Sequence, residues 1–374
     1  MRLKVAVTLT WQALLCVTLL AACAHDNPVY RPIATDDFAQ SLERWNKRHP
    51  DREIAPYNAT QILAIADNLL LMQRNNGGWP AHTNPFRRLS GDEKLRFLKD
   101  QNAADASFAD NNVFAQIYYL SHVYLQTGDV QYRNAARRAL QLVMSAQLYN
   151  GGWSLRARDS LKQREGTQAI DTQVTLNALQ FLRQVAAGRM PYGYIPFTVR
   201  RQAASAVEKG DGLLLRLQLA HNSRASGWAS AYDLDTGQPI AAVNELNAAL
   251  NVLLTVDVVN YFAGISRPPA QVLRAVKGAH DWLVANSVQR WAARQADNAE
   301  IIPGLVSPHS DQHLPAQTLW AQRYSVNGSE PLGPSYCPAS DTPWVEYAQE
   351  LGDWPREFIQ QRYPRWSKLN LPSS

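Results

Sequence analysis

The sequence predicts an all-α toroid of about three helix-pair repeats, followed by long C-terminal loops. Three observations lead to this fold class. A Gly-Trp motif recurs at a nearly constant interval, helical apolar periods separate its copies, and no stretch shows the sustained two-residue alternation of a strand. Because equivalent loops of a repeat array converge on one face, the loops that follow the motif are where a binding groove is expected.

The recurring motif ends in a tryptophan at Trp79, Trp153 and Trp228, which are 74 and 75 residues apart. Glycine permits a tight turn after a helix, and an indole ring can bury a large area. These tryptophans can therefore be structural anchors or platforms on which a sugar ring stacks. Each copy follows a glutamine and precedes an acidic residue that opens the next helical run, namely Gln73, Gln147 and Gln218, and Asp110, Asp171 and Glu245.

The N-terminus has the pattern of a bacterial lipoprotein signal. Two basic residues precede a short apolar run, and Leu-Ala-Ala-Cys at residues 20–23 places lipidation at Cys23 after removal of residues 1–22. The apolar run is short for a membrane span, although an ordinary signal or an anchor helix is the alternative. We therefore expect attachment to the membrane through the N-terminal lipid only, in the bacterial cell envelope, at the outer membrane facing the periplasm.

Residues 23–56 are predicted to form a polar tether with one short helix around 37–47, and residues 57–374 a single domain. An apolar helical face begins after Thr60, and Thr60, Asp110 and Asp171 are residue types that cap helix starts. The last segment, 301–374, breaks the period and predicts long loops with Trp320, Trp344 and Trp354 packed on the toroid. Further helices are predicted over residues 111–126, 132–147, 171–187, 196–220, 245–262 and 269–287.

The composition excludes some classes of function. The formal charge is +5, and it is +3 without Arg2 and Lys4. This mild excess does not favour a nucleic-acid partner, and it is compatible with an acidic polymer. Cleavage would leave Cys337 as the one free thiol, so no intramolecular disulfide is expected.

Several motifs together resemble the family 10 polysaccharide lyases, the helical pectate lyases. They are Gln-Arg-Asn-Asn-Gly-Gly-Trp-Pro at 73–80, Asp110-Asn111 before a helix, Asn-Gly-Gly-Trp at 150–153, and a Thr-Gly-Asp turn at 127–129. The likeness extends over about residues 60–344. It implies cleavage of polygalacturonate by β-elimination in a toroid groove, with calcium as cofactor and an arginine that removes the C5 proton. The chemistry is consistent, because a hard cation with oxygen ligands neutralises the uronate carboxylate and so acidifies that proton.

The resemblance assigns roles to individual residues. Asp110 and Asp171 match acidic positions of the family and are expected to contact calcium. Arg323, within Trp-Ala-Gln-Arg-Tyr at 320–324, matches an arginine that clamps the substrate and is a catalytic candidate. The remaining residues expected to contact an acidic polysaccharide or oligosaccharide are Asn111, Glu245 and, as stacking platforms, Trp79, Trp153 and Trp228.

Two positions depart from the family pattern. Ala242 stands where the resemblance places the arginine base, and residues 336–340 lack an arginine expected there. Tyr232 is a candidate replacement base, and Arg156 and Arg158 are candidate substrate contacts, although their loop can equally be a solvated basic surface. These departures leave two alternatives to a working lyase, a non-catalytic glycan-binding lipoprotein and an envelope scaffold or assembly factor.

Overall fold

A computed structural model describes residues 29–50, 55–157, 169–243, 245, 247–288, 318–328, 330–332 and 351–371. Cys23, Arg158 and Trp344 lie outside these ranges, so the expectations about them remain predictions. Within the described ranges, none of the helices combines the length and the apolar character needed to span a bilayer.

Helices dominate the described chain, and the predicted all-α class is confirmed. Short 3₁₀ turns lie at Asp36–Phe38, Asp100–Asn102, Ala109–Asn111 and Tyr192–Tyr194, and a π-helical turn at Phe358–Arg362. The α-helices are α1 Ala39–Arg48, α2 Ile62–Met72, α3 Gly91–Lys99, α4 Phe114–Thr127, α5 Val130–Ser145, α6 Thr172–Ala186, α7 Phe197–Leu217, α8 Val252–Ala263, α9 Ala270–Ala285 and α10 Tyr363–Asn370.

The strands in the described residues are only two or three residues long, and all of their pairings are antiparallel. They form sheets in the orders β1-β5-β6, β10-β9-β7-β4, β11-β8 and β2-β3. Their bounds are β1 Ala169–Asp171, β2 Ala220–His221, β3 Arg224–Ala225, β4 Trp228–Ala229, β5 Ala231–Asp233, β6 Pro239–Ile240, β7 Leu250–Asn251, β8 Trp320–Ala321, β9 Arg323–Tyr324, β10 Pro331–Leu332 and β11 Leu351–Gly352.

The helices form pairs in two layers. Helix α4 packs on α5, α6 on α7, and α8 on α9. The first helices of the pairs follow one another, since α4 contacts α6 and α6 contacts α8, while α2, α5, α7 and α9 belong to the second layer. Because α4, α6 and α8 are equivalent members of successive pairs, their amino termini lie at the same end of the molecule.

Each Gly-Trp turn is bonded to the helix before it. Trp79, Trp153 and Trp228 have no exposed surface. Their indole N–H groups donate to carbonyls of α2, α5 and α7, with distances of 2.7 Å to Leu69, 2.8 Å to Val143 and 2.7 Å to Leu214. Burial of the ring and satisfaction of its one donor make these residues structural anchors.

The glutamine of each repeat joins the turn to the next helix pair. The Gln147 amide donates to the carbonyls of Gly151 and Ala206, both at 2.9 Å. Gln73 and Gln218 make the equivalent pairs of bonds, to Gly77 and Ala135 and to Ser226 and Ala275. The repeated glutamine therefore satisfies buried carbonyls at each junction between repeats.

A fourth tryptophan continues the series where long loops were predicted. Trp320 is buried, and its indole N–H donates to the Leu283 carbonyl of α9 at 2.8 Å. Residues 228–232 and 320–324 share the pattern Trp-Ala-x-x-Tyr, in which the tyrosine hydroxyl accepts from the alanine N–H. The predicted packing of Trp320 on the helices is thus confirmed, whereas the prediction that loops alone follow residue 301 is wrong, since the repeat continues at Trp320 and residues 363–370 form α10. The turn at Trp320 was missed because Thr-Leu stands where Gly-Gly precedes Trp79 and Trp153.

Residues 29–50 are not a free tether. Phe38 and Trp45 are buried, Phe38 packs edge-on against Phe86 and Tyr119, and the Arg87 guanidinium lies 5.1 Å over the Trp45 ring. The predicted short helix is present as α1, but its apolar face is docked on the helical domain. The described N-terminal segment is part of the folded unit.

Three predicted helix starts are corrected by the structure. Gln61, rather than Thr60, precedes α2, and Asp110 lies in a 3₁₀ turn ahead of α4. Helix α8 begins at Val252 rather than near Glu245, because β7 pairs with β4 and β9 and keeps residues 250–251 extended. The prediction for Asp171 is confirmed, since its side chain accepts the Val174 N–H at the start of α6 at 2.8 Å.

Candidate active site

The predicted groove residues lie at the amino termini of α4, α6 and α8, where backbone bonds link successive repeats. The Phe108 N–H donates to the Leu155 carbonyl, the Thr172 N–H to Ser230, and the Val252 N–H to Gln322, at 2.9 to 3.0 Å. These bonds form because the chain after each tryptophan turn is extended and pairs with the segment that opens the first helix of the preceding pair. The same end of the fold therefore carries Asp110, Asp171, Asn251 and Arg323.

Asp110 is the centre of the first cluster. Its side chain is only 5% exposed and is flanked by two potential cations, with Nη2 of Arg44 at 3.0 Å from Oδ1 and Nδ1 of His82 at 3.2 Å from Oδ2. Arg44 belongs to α1, and His82 follows the first Gly-Trp turn. The cluster thus joins three parts of the chain that are distant in sequence.

The backbone around Asp110 is held in rare conformations. His82, Asp110, Asn111 and Val113 have φ values of 58°, 56°, 60° and 74°. A left-handed φ costs energy in a non-glycine residue, and most of all in a β-branched one such as Val113. The buried Asn112 amide holds the turn by donating to the carbonyls of Trp79 and Ser107 at 2.8 and 2.7 Å. Strain that is held by surrounding bonds in this way is typical of functional sites.

The His82 side chain is 15% exposed. Burial and the nearby positive charge of Arg48 lower its pKa, although the Asp110 carboxylate acts in the opposite direction. His82 is therefore predominantly neutral at pH 7. A neutral imidazole leaves Arg44 as the charged partner of Asp110.

Asp171 and Glu245 are the carboxylates of the second cluster. Burial raises the pKa of Asp171 to about 6, and the Glu245 charge adds to this against the opposing backbone hydrogen bonds from Val174 and Gln173. Glu245 accepts from the Ser230 hydroxyl at 2.9 Å, and Ser230 in turn meets the Asn251 amide at 3.1 Å. Hydrogen bonds thus connect Glu245, Ser230 and Asn251, and Asp171 interacts with Glu245 electrostatically, all at the amino termini of α6 and α8.

Arg323 lies next to the second cluster. It is the register partner of Asn251 across β9 and β7, and its side chain is buried. Of the sequence-predicted residues, Asp171 and Glu245 therefore interact with each other, and Arg323 is a strand neighbour of Asn251 in the same cluster, whereas Asp110 belongs to the separate cluster with Arg44. Asn111 is partly buried in the strained turn beside Asp110, and Arg156 is exposed at the bridge to Ser107.

The structure contradicts several predicted roles. Tyr232 has no exposed surface, its hydroxyl is 2.8 Å from the Ala229 N–H, and burial raises its pKa far above the ordinary value, so it is not placed to act as a base. Trp79, Trp153 and Trp228 are wholly inside the core and offer no ring face for stacking on a sugar. The physical reason is common to all four, because large aromatic side chains beside the Gly-Trp turn fill the space between repeats.

Four residues of the two clusters were not found from the sequence. Asn251 and Ser230 could have been found, because Asn251 caps α8 as Asp171 caps α6, and Ser230 occupies the same place as Gln322 in the Trp-Ala-x-x-Tyr pattern. Arg44 and His82 had no local signal, since docking of α1 and the turn after Trp79 bring them to Asp110.

The two clusters differ in how well they would hold calcium. Within the described residues, no group of three or more His, Cys, Asp and Glu side chains is close enough to hold a metal ion. Asp110 does not fit calcium, because Arg44 is already paired with it and Arg48 adds further positive charge nearby. Asp171 and Glu245 suit a hard cation better, because they supply two carboxylates beside the Ser230 hydroxyl, and oxygen is the ligand atom that calcium prefers.

Comparisons with known proteins agree with the arrangement of repeats. The chain is similar over 80% of its length to a family 10 polysaccharide lyase from Cellvibrio cellulosa, with 18% identity and a TM-score of 0.52 over 85% of that chain. A mutant of a family 10 polysaccharide lyase from the same organism, in complex with trigalaturonic acid, gives 18% identity and a TM-score of 0.53, with coverage of 80% and 86%. These likenesses confirm the predicted all-α toroid.

No curated protein matches the chain. A sequence model described as Pectic acid lyase matches residues 73–335, which include the second cluster, Asp110 and His82 of the first cluster, and the Gly-Trp turns. This match covers well over half of the sequence. The chain therefore belongs to the pectic acid lyase family.

Proposed function

We propose that the protein is a pectate-lyase-like enzyme that cleaves an acidic, uronate-containing polysaccharide by β-elimination at the amino termini of α4, α6 and α8. Membership of the pectic acid lyase family supports the class of reaction. The trigalaturonic acid bound to the similar lyase from Cellvibrio cellulosa supports an acidic oligosaccharide as the ligand. We further propose that Cys23 carries a lipid that attaches the enzyme to the outer membrane.

The observation that carries the proposal is the second cluster, in which Asp171 and Glu245 interact and Arg323 pairs in register with Asn251. A uronate chain bears a carboxylate on every ring. A site that binds it therefore needs a positively charged side chain for the carboxylate and polar side chains that orient the sugar ring. Arg323 supplies a planar cation that matches a carboxylate. Ser230 and Asn251 supply groups that can meet sugar hydroxyls.

Calcium, when bound by Asp171 and Glu245, would neutralise the substrate carboxylate and so acidify the C5 proton. The chain's own residues then hold the ring: Arg323 binds a uronate carboxylate, and the Asp171 and Asn251 caps fix the two helix starts that frame the cluster. The helix amino termini add partial positive charge toward the same carboxylate. The resulting arrangement favours negative charge that develops during proton removal.

The direct test is the absorbance of the unsaturated product with polygalacturonate as substrate. We expect turnover that a chelator lowers and added calcium restores. Substitution of Arg323 by Ala should lower kcat/KM by about 10² or more, because the clamp acts on the reacting ring. Lys47→Ala is the matched control, since Lys47 is exposed and pairs only with Glu43 on α1 in the described part of the chain.

One observation favours a second function, a glycan-binding protein that does not cleave. Ala242 stands where the resemblance places the base, and its methyl side chain cannot accept a proton. Its backbone N–H donates to Glu245 Oε2 at 3.4 Å. Measurable binding of trigalacturonate with no absorbance change from any uronate polymer would reject the lyase and support the binding protein.

A further inference from the structure

The N-terminal helix α1 is held on the domain by contacts that do not involve Asp110. Trp45 is buried under the Arg87 guanidinium, and Phe38 packs on Phe86. The Arg31 backbone and the Gln126 side chain exchange two hydrogen bonds of 2.8 and 3.0 Å. The position of α1 is therefore set independently of the ion pair that it makes at the site.

This position brings one arginine to the strained turn. Nη2 of Arg44 lies 3.0 Å from Oδ1 of Asp110, and the Arg44 side chain is 55% exposed whereas that of Asp110 is 5% exposed. A carboxylate with so little exposure needs a compensating charge. The guanidinium has five N–H donors, so a contact through Nη2 leaves others on the exposed side of the side chain.

The surroundings disfavour a metal ion at the same carboxylate. His82 contacts the other carboxylate oxygen, and imidazole is a poor ligand for calcium. The positive charges of Arg48 and Arg44 both lower the pKa of His82, which contacts Asp110. A divalent cation at Asp110 would therefore be repelled by two positive charges. Asp110 already has a cation that the chain itself provides.

We propose that Arg44 is the resident cation of the Asp110 site, where it takes the place of a calcium ion and presents its remaining donors to a uronate carboxylate of the substrate. The role as a substrate-binding residue rests on the proposed function, whereas the role as resident cation does not. Helix α1 is then a functional part of the groove, and the site has two kinds of cation: a tethered guanidinium at Asp110 and a calcium-competent pair at Asp171 and Glu245.

The test uses the full chain and two readouts other than turnover. Calcium chloride alone is titrated while the melting temperature is followed, and trigalacturonate binding is measured by calorimetry. Arg44→Ala should weaken trigalacturonate binding by about tenfold to a hundredfold, as expected for loss of a charge-assisted contact. Its calcium-dependent rise in melting temperature should also exceed that of the wild type, and the double variant Arg44→Ala, Asp110→Asn should lack this additional rise.

Lys47→Ala is the matched control, because it removes a cation from the same helix away from Asp110. It should behave as the wild type in both readouts. Arg44→Lys should bind trigalacturonate with intermediate affinity and gain no calcium response, since it keeps the charge and loses the planar fork. If Arg44→Ala fails to fold, Arg44→Gln replaces it with the same expectations.

Two results would overturn the proposal: an Asp110-dependent calcium response already present in the wild type, or trigalacturonate binding by Arg44→Ala that equals the Lys47→Ala control. If the wild type binds no trigalacturonate, the proposed function and the substrate role of Arg44 both fail. The calcium readout then decides the role as resident cation, which is supported by a gain in Arg44→Ala and rejected by its absence.

Discussion

At the residue scale, the tryptophans and the acidic residues of the repeat separate into two kinds. Trp79, Trp153 and Trp228 fill the core, although the sequence left stacking on a sugar open. Asp110 and Asp171 occupy turns at the functional end, where Asp110 is paired with Arg44 and burial raises the pKa of Asp171. The same motif thus supplies both the anchor and, some residues later, the chemistry.

Trp153 gives the clearest residue-scale prediction about stability. Trp153→Ala should lower the free energy of unfolding by about 3–5 kcal/mol, because it empties a fully buried site and removes the bond to the Val143 carbonyl. Denaturant unfolding measures the change. Tyr149→Ala, at a 74% exposed position nearby in sequence, is the control and should cost much less. A stable Trp153→Ala variant with impaired sugar binding would show that the ring is a stacking platform after all.

Asp171 predicts a dependence of stability on pH. Its pKa is raised to about 6 in the folded state, so the contribution of this group favours folding at low pH and is lost as the pH rises from about 4 to about 6. At roughly 1.4 kcal/mol for each pKa unit, the loss amounts to at most about 3 kcal/mol. Asp171→Asn keeps the helix cap, as Asn251 does for α8, and should remove this loss.

Urea unfolding of wild type and Asp171→Asn at several pH values measures that difference. Asp233→Asn is the control of opposite sign, because hydrogen bonds from Thr236 lower the pKa of Asp233 and its contribution is lost as the pH falls. Parallel stability curves for wild type and Asp171→Asn between pH 4 and 6 would show that Asp171 is not perturbed by burial and Glu245.

At the scale of the elements, the junction between a turn and the next helix pair is the unit that repeats. The second turn packs so closely on α7 that a Cβ at Gly151 would lie 2.6 Å from the Lys209 carbonyl oxygen, and Gly77 meets Arg138 of α5 at the same distance. Glycine is required at these two places both by positive φ and by contact with helix backbone. This close approach explains why the motif contains glycine beside the tryptophan.

Gly151→Ala should therefore destabilise the protein by more than about 2 kcal/mol, because a left-handed residue with a side chain costs roughly 1–2 kcal/mol and the clash with backbone adds to it. Thermal unfolding measures the effect. Gly128→Ala is the matched control: Gly128 also has positive φ, but a Cβ there would meet nothing within 4 Å. Equal destabilisation by the two variants would rule out the close approach of the second turn to α7.

At the scale of the whole molecule, stacked helix pairs form a scaffold that places equivalent helix starts at one end. Asp171 and Asn251 open α6 and α8 in the same way, but one carries a charge and the other does not. The N-terminal segment then adds Arg44 from outside the repeats. The repeats therefore carry different side chains at equivalent helix starts, and α1 adds a further side chain at only one of them.

Much of the scaffold could be predicted from the sequence, because its signals are local or periodic. The spacing of the Gly-Trp motif, the helical apolar faces and the cap at Asp171 each depend on residues close together in the chain. The second cluster was also partly predicted, since Asp171 and Glu245 are landmarks of the repeat and the family resemblance of residues 320–324 assigned Arg323. The fourth turn at Trp320 was missed because it lacks the preceding glycines.

The composition of the Asp110 site was decided by tertiary packing alone. Arg44 reaches Asp110 because Phe38 and Trp45 dock α1 on the domain, and no local pattern encodes that contact. Burial likewise removed Tyr232 as a base, since its exposure depends on neighbours from other elements. Periodicity predicts which face of a helix is apolar, but the charge and accessibility of a site depend on which distant side chains the folded chain brings into contact.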